Sequence, residues 1–144
     1  MRSNQIKLVN IQMNSKALLV EYYDSLSDQN FERTVDCYDI PSKLISLYGT
    51  FDCNSRESLR DIFLSISREW KVKNISPQIG YDQDKFIISK IQENIHLAHT
   101  TLENFTFGGK SVQRWNCTYV LRKDSDRWLI SLATTDNKIS LSSR

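Results

Sequence analysis

Residues 112–135 constrain this chain more than any other stretch. Two runs of alternating apolar and polar side chains flank the turn residues D-S-D, the pattern of a β-hairpin. In the first run, Trp115, Cys117, Tyr119 and Leu121 share one face, with Arg114, Asn116, Thr118 and Val120 on the other. In the second, Trp128, Ile130 and Leu132 oppose Leu129, Ser131 and Ala133. A surface this aromatic must be covered, so the remaining segments are read as partners of this hairpin.

Upstream, the apolar period is helical. Residues 1–13 read as a loose arm. Asn14 or Ser15 caps a helix to about residue 27, with Leu19, Tyr22, Tyr23 and Leu26 as its stripe. A short second helix carries Phe31, Val35 and Tyr38 and ends at Pro41, because a residue before proline is pushed out of the helical region. A strand over 43–50 follows. Asn54 with Glu57 opens a third helix bearing Leu59, Ile62, Phe63, Ile66 and Trp70. Pro77 and Gly80 make 71–84 mostly loop. From residue 85 the period becomes two, giving strands over 85–92 and 95–107 before Gly108 and Gly109. Helices first and long antiparallel strands afterwards imply an α+β fold, three helices on one face of a mainly antiparallel sheet. One domain over 14–136 is expected, with 137–144 as a tail.

Counting outward from a two-glycine loop sets the register. Phe105 then opposes Val112, Glu103 opposes Arg114, Thr101 opposes Asn116, and His99 opposes Thr118. The other face pairs Leu102 with Trp115, Thr100 with Cys117, and Ala98 with Tyr119. The Glu103–Arg114 pair is a favourable one. A four-residue loop over 123–126 gathers Trp115, Cys117, Tyr119, Trp128, Ile130 and Leu132 on one face, whereas three residues would mix them with Ser131 and Ala133.

Composition excludes several classes. The 19 basic and 17 acidic residues leave a net charge of +2, with no basic run, so no nucleic acid is expected. No apolar stretch is long enough to span a membrane, and the first residues lack the apolar centre of a signal peptide, so a cytoplasmic protein is expected. Cys37, Cys53 and Cys117 are odd in number and far apart, which suits isolated thiols rather than a metal or disulfide framework. No metal and no cofactor are expected.

The order of elements, the L-x-x-Y-Y helix, the N-S-R-E-S-L opening of the third helix and the closing T-Y-V-L-R-K-D-S-D-R-W-L-I resemble the nuclear transport factor two-like superfamily. That superfamily includes SnoaL-like polyketide cyclases and ketosteroid isomerases. The resemblance covers roughly residues 14–135. It implies a cystatin-like cone in which helices and the concave sheet face enclose a pocket, while the convex face makes a homodimer. Carried over, Tyr22, Tyr38, His99, Thr101, Glu103, Arg114, Asn116, Thr118 and Ser131 would line the pocket. Trp115, Cys117, Tyr119, Trp128 and Ile130 would form the dimer interface. Pattern alone would place the faces the other way round, with the aromatic side chains under the helices. Periodicity identifies faces but not their partners.

The chemistry is sparse. Tyr22 falls at the place of the isomerases' helix tyrosine, but no acid stands at the place of the base, and Thr118 holds the place of the second acid. His96 and His99, three apart on a strand, face opposite ways and cannot share an ion. Glu103 and His99 are the candidate bases, beside Arg114. The expected function is binding of a small, largely apolar ligand. The alternatives are a cyclase, dehydratase or isomerase using Glu103 or His99, or a dimeric interaction module working through the convex face.

Overall fold

A computed structural model describes residues 14–138, so the arm over 1–13 and residues 139–144 lie outside it. Helix α1 is Ser15–Ser27, and the Asn14 side chain accepts from the Ala17 N–H at 2.9 Å, satisfying a donor the helix cannot use. Its buried stripe is Leu18, Leu19, Tyr22 and Tyr23. Helix α2, Phe31–Asp36, starts at Asn30 in the same way. Helix α3, Arg56–Val72, opens on a reciprocal Ser55–Ser58 capping box, not on the expected Asn54–Glu57 pair. It buries Leu59, Phe63 and Trp70.

Seven strands form one curved sheet: β1 (Tyr38–Ser46), β2 (Gly49–Cys53), β3 (Ile75–Tyr81), β4 (Ile87–Gln92), β5 (Ile95–Thr106), β6 (Ser111–Asp124) and β7 (Arg127–Thr135). The order is β2-β1-β7-β6-β5-β3, with β4 sharing the outer edge of β5. Only β1 and β7 run parallel. The expected α+β class, with three helices on a mainly antiparallel sheet, is the observed one.

Several boundaries differ from expectation. The second helix stops at Asp36, and Tyr38 begins β1 instead of ending the helix, because this segment pairs with β7. Residues 49–53 form their own strand against β1. The expected loop over 71–84 contains β3. Its Pro77 and Gly80 are tolerated because β3 is an edge strand with a register shift between Ile75 and Ile79. The end of α1 holds it there: Ser27 Oγ accepts from the Ile79 N–H at 3.0 Å. Asn137, assigned to a tail, is fully buried and bonded to Gln113 and Asn104.

Six counted pairs form on β5–β6, from Glu103–Arg114 back to Ala98–Tyr119. Phe105–Val112 does not. The Thr106 N–H donates to Lys110 O at 2.8 Å and Gly109 adopts φ +90°, so the loop holds three residues. Phe105 therefore pairs with Ser111, and Val112 is the extra residue of a bulge that restores the counted register further on. At the second turn neither a four- nor a three-residue loop forms. Asp124 pairs with Arg127 around Ser125 and Asp126, with Ser125 at φ +57°. A bulge follows: Leu121 pairs with Ile130, but Val120 pairs with Leu132. That one-residue slip puts Ala133 on the inner face and Leu132 on the outer.

The core settles the choice of faces. Trp115, Cys117, Tyr119, Leu121, Ile130 and Ala133 are buried with the helix residues Leu19, Tyr22, Tyr23, Leu59 and Phe63. Trp128 packs against the same cluster from its edge. The aromatic face lies beneath the helices, contrary to the arrangement carried over from the resemblance. Burial of aromatic area, roughly 25 cal/mol per Å², outweighs what the mixed face would recover by leaving water.

Candidate functional site

Between the helices and the inner sheet face lies a cavity of about 480 Å³. Helix α1 supplies Tyr22, Tyr23 and Leu26, because positions four apart stack on one helix face. Helix α3 supplies Phe63, Ile66 and Trp70 in the same spacing. The sheet contributes Trp115, Cys117, Tyr119 and Ala133, and β1 adds Tyr38 and Leu44. Ile75 and Ile79 of β3 close one side, and Phe107 stands at the turn between β5 and β6.

The aromatic rings brace one another. Tyr22 meets Tyr38, Phe63 and Tyr119 edge-on, with ring centres 5.4, 6.1 and 6.1 Å apart. Their hydroxyls form two groups. Tyr22 and Tyr38 share a hydrogen bond of 2.8 Å. Tyr23 bonds both Thr100 and Tyr119, each at 2.7 Å. Each hydroxyl owns one proton, so the Tyr22–Tyr38 pair holds two donors and the bond between them uses one. Neither hydroxyl has another partner among the described residues, which leaves the second donor for an acceptor on a ligand.

Burial, the largest cause in each case, pushes the phenols of Tyr22, Tyr23, Tyr38 and Tyr119 well up. It pushes the Cys117 thiol up to about 12. These groups are neutral at physiological pH and act as donors, not bases. Among the described residues lining the cavity, only Arg68 and Lys71 carry charge, and both stand exposed on α3. No carboxylate or imidazole among the described residues lines it.

Of the expected pocket residues, Tyr22 and Tyr38 line this cavity. The other seven do not, because they point to the opposite side of β5, β6 and β7. Glu103 accepts from Ser111 Oγ and lies 3.8 Å from Arg114, whose side chain is 77 % exposed. His99 Nδ1 bonds Thr118 Oγ1 at 3.2 Å, and Thr101 donates to Asn116 at 3.0 Å. Ser131 donates to Asp39, which also holds Arg122. These are outer-face contacts. The expected interface residues are equally displaced: Trp115, Cys117 and Tyr119 line the cavity and Ile130 is fully buried. Trp128 stacks on His96 at 4.1 Å, while His96 receives or gives a 2.7 Å bond with Ser15.

The lining residues missed as pocket residues include Tyr23, Phe63, Trp70, Trp115, Cys117 and Tyr119. Their signal was present as the helix stripes and the aromatic strand face. Ile75 and Ile79 had none, since their segment reads as loop. Among the described residues, no group of three or more His, Cys, Asp or Glu could hold a metal ion, and no helix is long and apolar enough to cross a membrane.

No family model and no curated protein matches the sequence. Solved structures do match the fold. A protein from Novosphingobium aromaticivorans described as NTF2-like with a cystatin-like fold aligns with 99 % of this chain and 89 % of its own, at 10 % identity and TM-score 0.69. A ketosteroid isomerase-like protein from Erwinia carotovora atroseptica aligns with 88 % of this chain and 93 % of its own, at 12 % identity and TM-score 0.65. The yeast UBP3-associated protein BRE5 covers the same shares at 19 % identity and TM-score 0.65. At these identities the likeness is one of fold.

Proposed function

From a chain with the NTF2-like, cystatin-like fold, we infer that its cavity binds a small, largely apolar molecule. The observation that carries this is an aromatic-walled space of about 480 Å³ beside a tyrosine pair with an unspent O–H. Small-molecule sites span roughly 300–1,000 Å³ with few polar groups, which this cavity matches. Glu103 and His99 face away from it, so the proton-transfer alternative has neither of its expected bases at the site. The ligand's oxygen meets Tyr22 and Tyr38, not Asn116, Thr118, His99 or Arg114.

Binding of 2-(1-naphthyl)ethanol, followed by calorimetry and tryptophan fluorescence, tests this. Ile66→Trp fills the cavity from a half-buried wall position and should weaken binding at least roughly tenfold. Tyr38→Phe should narrow the preference for the alcohol over 1-ethylnaphthalene by about 1 kcal/mol. Unchanged affinity in Ile66→Trp, or no binding by any naphthyl compound, refutes the reading.

One observation favours a second copy of the chain on the outer face, in place of the interface expected at the tryptophans. Leu97, Val120 and Leu132 pair across β5, β6 and β7 to form an apolar row there, and Leu97 is 41 % exposed. Sedimentation of wild type and Val120→Glu decides it: a dimer that dissociates in the variant supports this face, and a monomeric wild type excludes it.

A further inference from the structure

We propose that the molecule held in the cavity carries an anionic group, a carboxylate, placed at the mouth between Arg68 and Lys71. This deepens the ligand-binding reading and rests on it. Among the described residues, everything ionised at neutral pH along the cavity wall is cationic and sits on one element, the C-terminal half of α3. Residues three apart on a helix are neighbours, about 5–6 Å apart at Cβ, so the two side chains can address one group. Neither makes an ion pair among the described residues. The acid between them in sequence, Glu69, is held by Lys73 at 3.0 Å.

The rest of the wall says what the group is attached to. Phe63 and Trp70, buried on the inner side of α3, line the same cavity as the exposed Arg68 and Lys71, and Trp115 lines it from β6. Flat rings suit such walls. At roughly 30 Å³ per non-hydrogen group, a water's share of liquid volume, the space takes about 16 such groups. An aryl body with a short acidic arm is of that size: the ring is covered and the carboxylate stays at the wet rim, whereas the hydroxyl of a neutral alcohol turns to Tyr22 and Tyr38. There Arg68 offers a planar fork of donors and Lys71 a mobile point charge. A cationic ligand whose polar end reached this rim would meet like charge.

Three ligands that share a naphthalene ring isolate the charge: 1-naphthaleneacetate, 2-(1-naphthyl)ethanol and 2-(1-naphthyl)ethylamine. Their affinities are measured by calorimetry for wild type and Arg68→Gln/Lys71→Gln, at about 20 mM and about 300 mM salt. Both positions are exposed, so the variant keeps its fold, which circular dichroism verifies. The expected result is that wild type prefers the acetate to the alcohol by roughly tenfold at low salt, with the amine weakest. In the variant, acetate and alcohol converge while the alcohol is unchanged, and high salt narrows the wild-type preference. Equal binding of acetate and alcohol by wild type, or a preference that survives in the variant, overturns the proposal and leaves the cavity reading intact. If none of the three binds, the cavity reading falls and this inference falls with it.

Discussion

Removing one oxygen atom from Tyr23 tests how the inner wall of the cavity is held. The Tyr23 ring is fully buried, and its hydroxyl is the centre of a chain, bonding Thr100 on β5 and Tyr119 on β6 at 2.7 Å each. Tyr23→Phe keeps the ring and breaks both bonds, each contributing about 1 kcal/mol net. Thr100 and Tyr119, both buried, then lose a partner. Tyr119 keeps only the Cys117 sulfur, a weak acceptor. Adding part of that desolvation cost brings the expected loss to about 2–4 kcal/mol. Tyr119→Phe breaks the bond to Tyr23 and the weak one to Cys117 but leaves Tyr23–Thr100 intact, so about 1–2 kcal/mol is expected. In the double variant the second change removes a hydroxyl already without a good partner. Its cost should not exceed that of Tyr23→Phe alone, a coupling of about 1–2 kcal/mol. Urea unfolding of the four proteins measures this. Thermal midpoints should follow at roughly 4 °C per kcal/mol for a chain of this length. Additive costs, or a Tyr119→Phe as damaging as Tyr23→Phe, would refute the chain of hydroxyls.

The two faces of β6 should respond oppositely to charge. Trp115→Glu replaces a side chain only 7 % exposed and should cost at least about 3 kcal/mol, whereas Arg114→Glu, beside Glu103 at the surface, should stay within about 1 kcal/mol. Comparable urea midpoints would mean the faces are misassigned. Stability should also fall in alkali. Burial raises the Cys37 and Cys117 thiols to about 12, and raises the phenols of Tyr22, Tyr23, Tyr38 and Tyr119, above the unfolded values of about 8.5 and 10. Between those limits the unfolded chain binds fewer protons than the folded one, so stability is fully present below about pH 8.5 and declines above it. A urea midpoint that stays level to pH 11 would contradict this burial.

Local pattern carried far in this chain. The stripes at Leu19, Tyr22 and Tyr23 and at Leu59, Phe63 and Trp70 read correctly as the buried sides of α1 and α3. The β5–β6 register from Glu103–Arg114 inward could be counted from two glycines, although by compensation: a loop one residue longer was cancelled by the bulge at Val112. The β6–β7 register had no such cancellation. Its bulge exchanged Leu132 for Ala133 on the inner face, and no residue type there announces it. The candidate site suffered most, because its seven outer-face residues were chosen by assigning partners to faces on the strength of a resemblance.

Alternation along β5, β6 and β7 was enough to say that one side of the sheet is aromatic and the other mixed, since successive side chains on a strand must point opposite ways. Which side meets the helices was not written in any local segment. It follows from summed burial across the three helices and six strands, where the aromatic face had the larger area to remove from water. The cavity is of the same kind. Tyr22 and Tyr38 are 16 residues apart, and Tyr23 and Tyr119 are 96 apart, so only the closing of helices over a bent sheet brings their hydroxyls together.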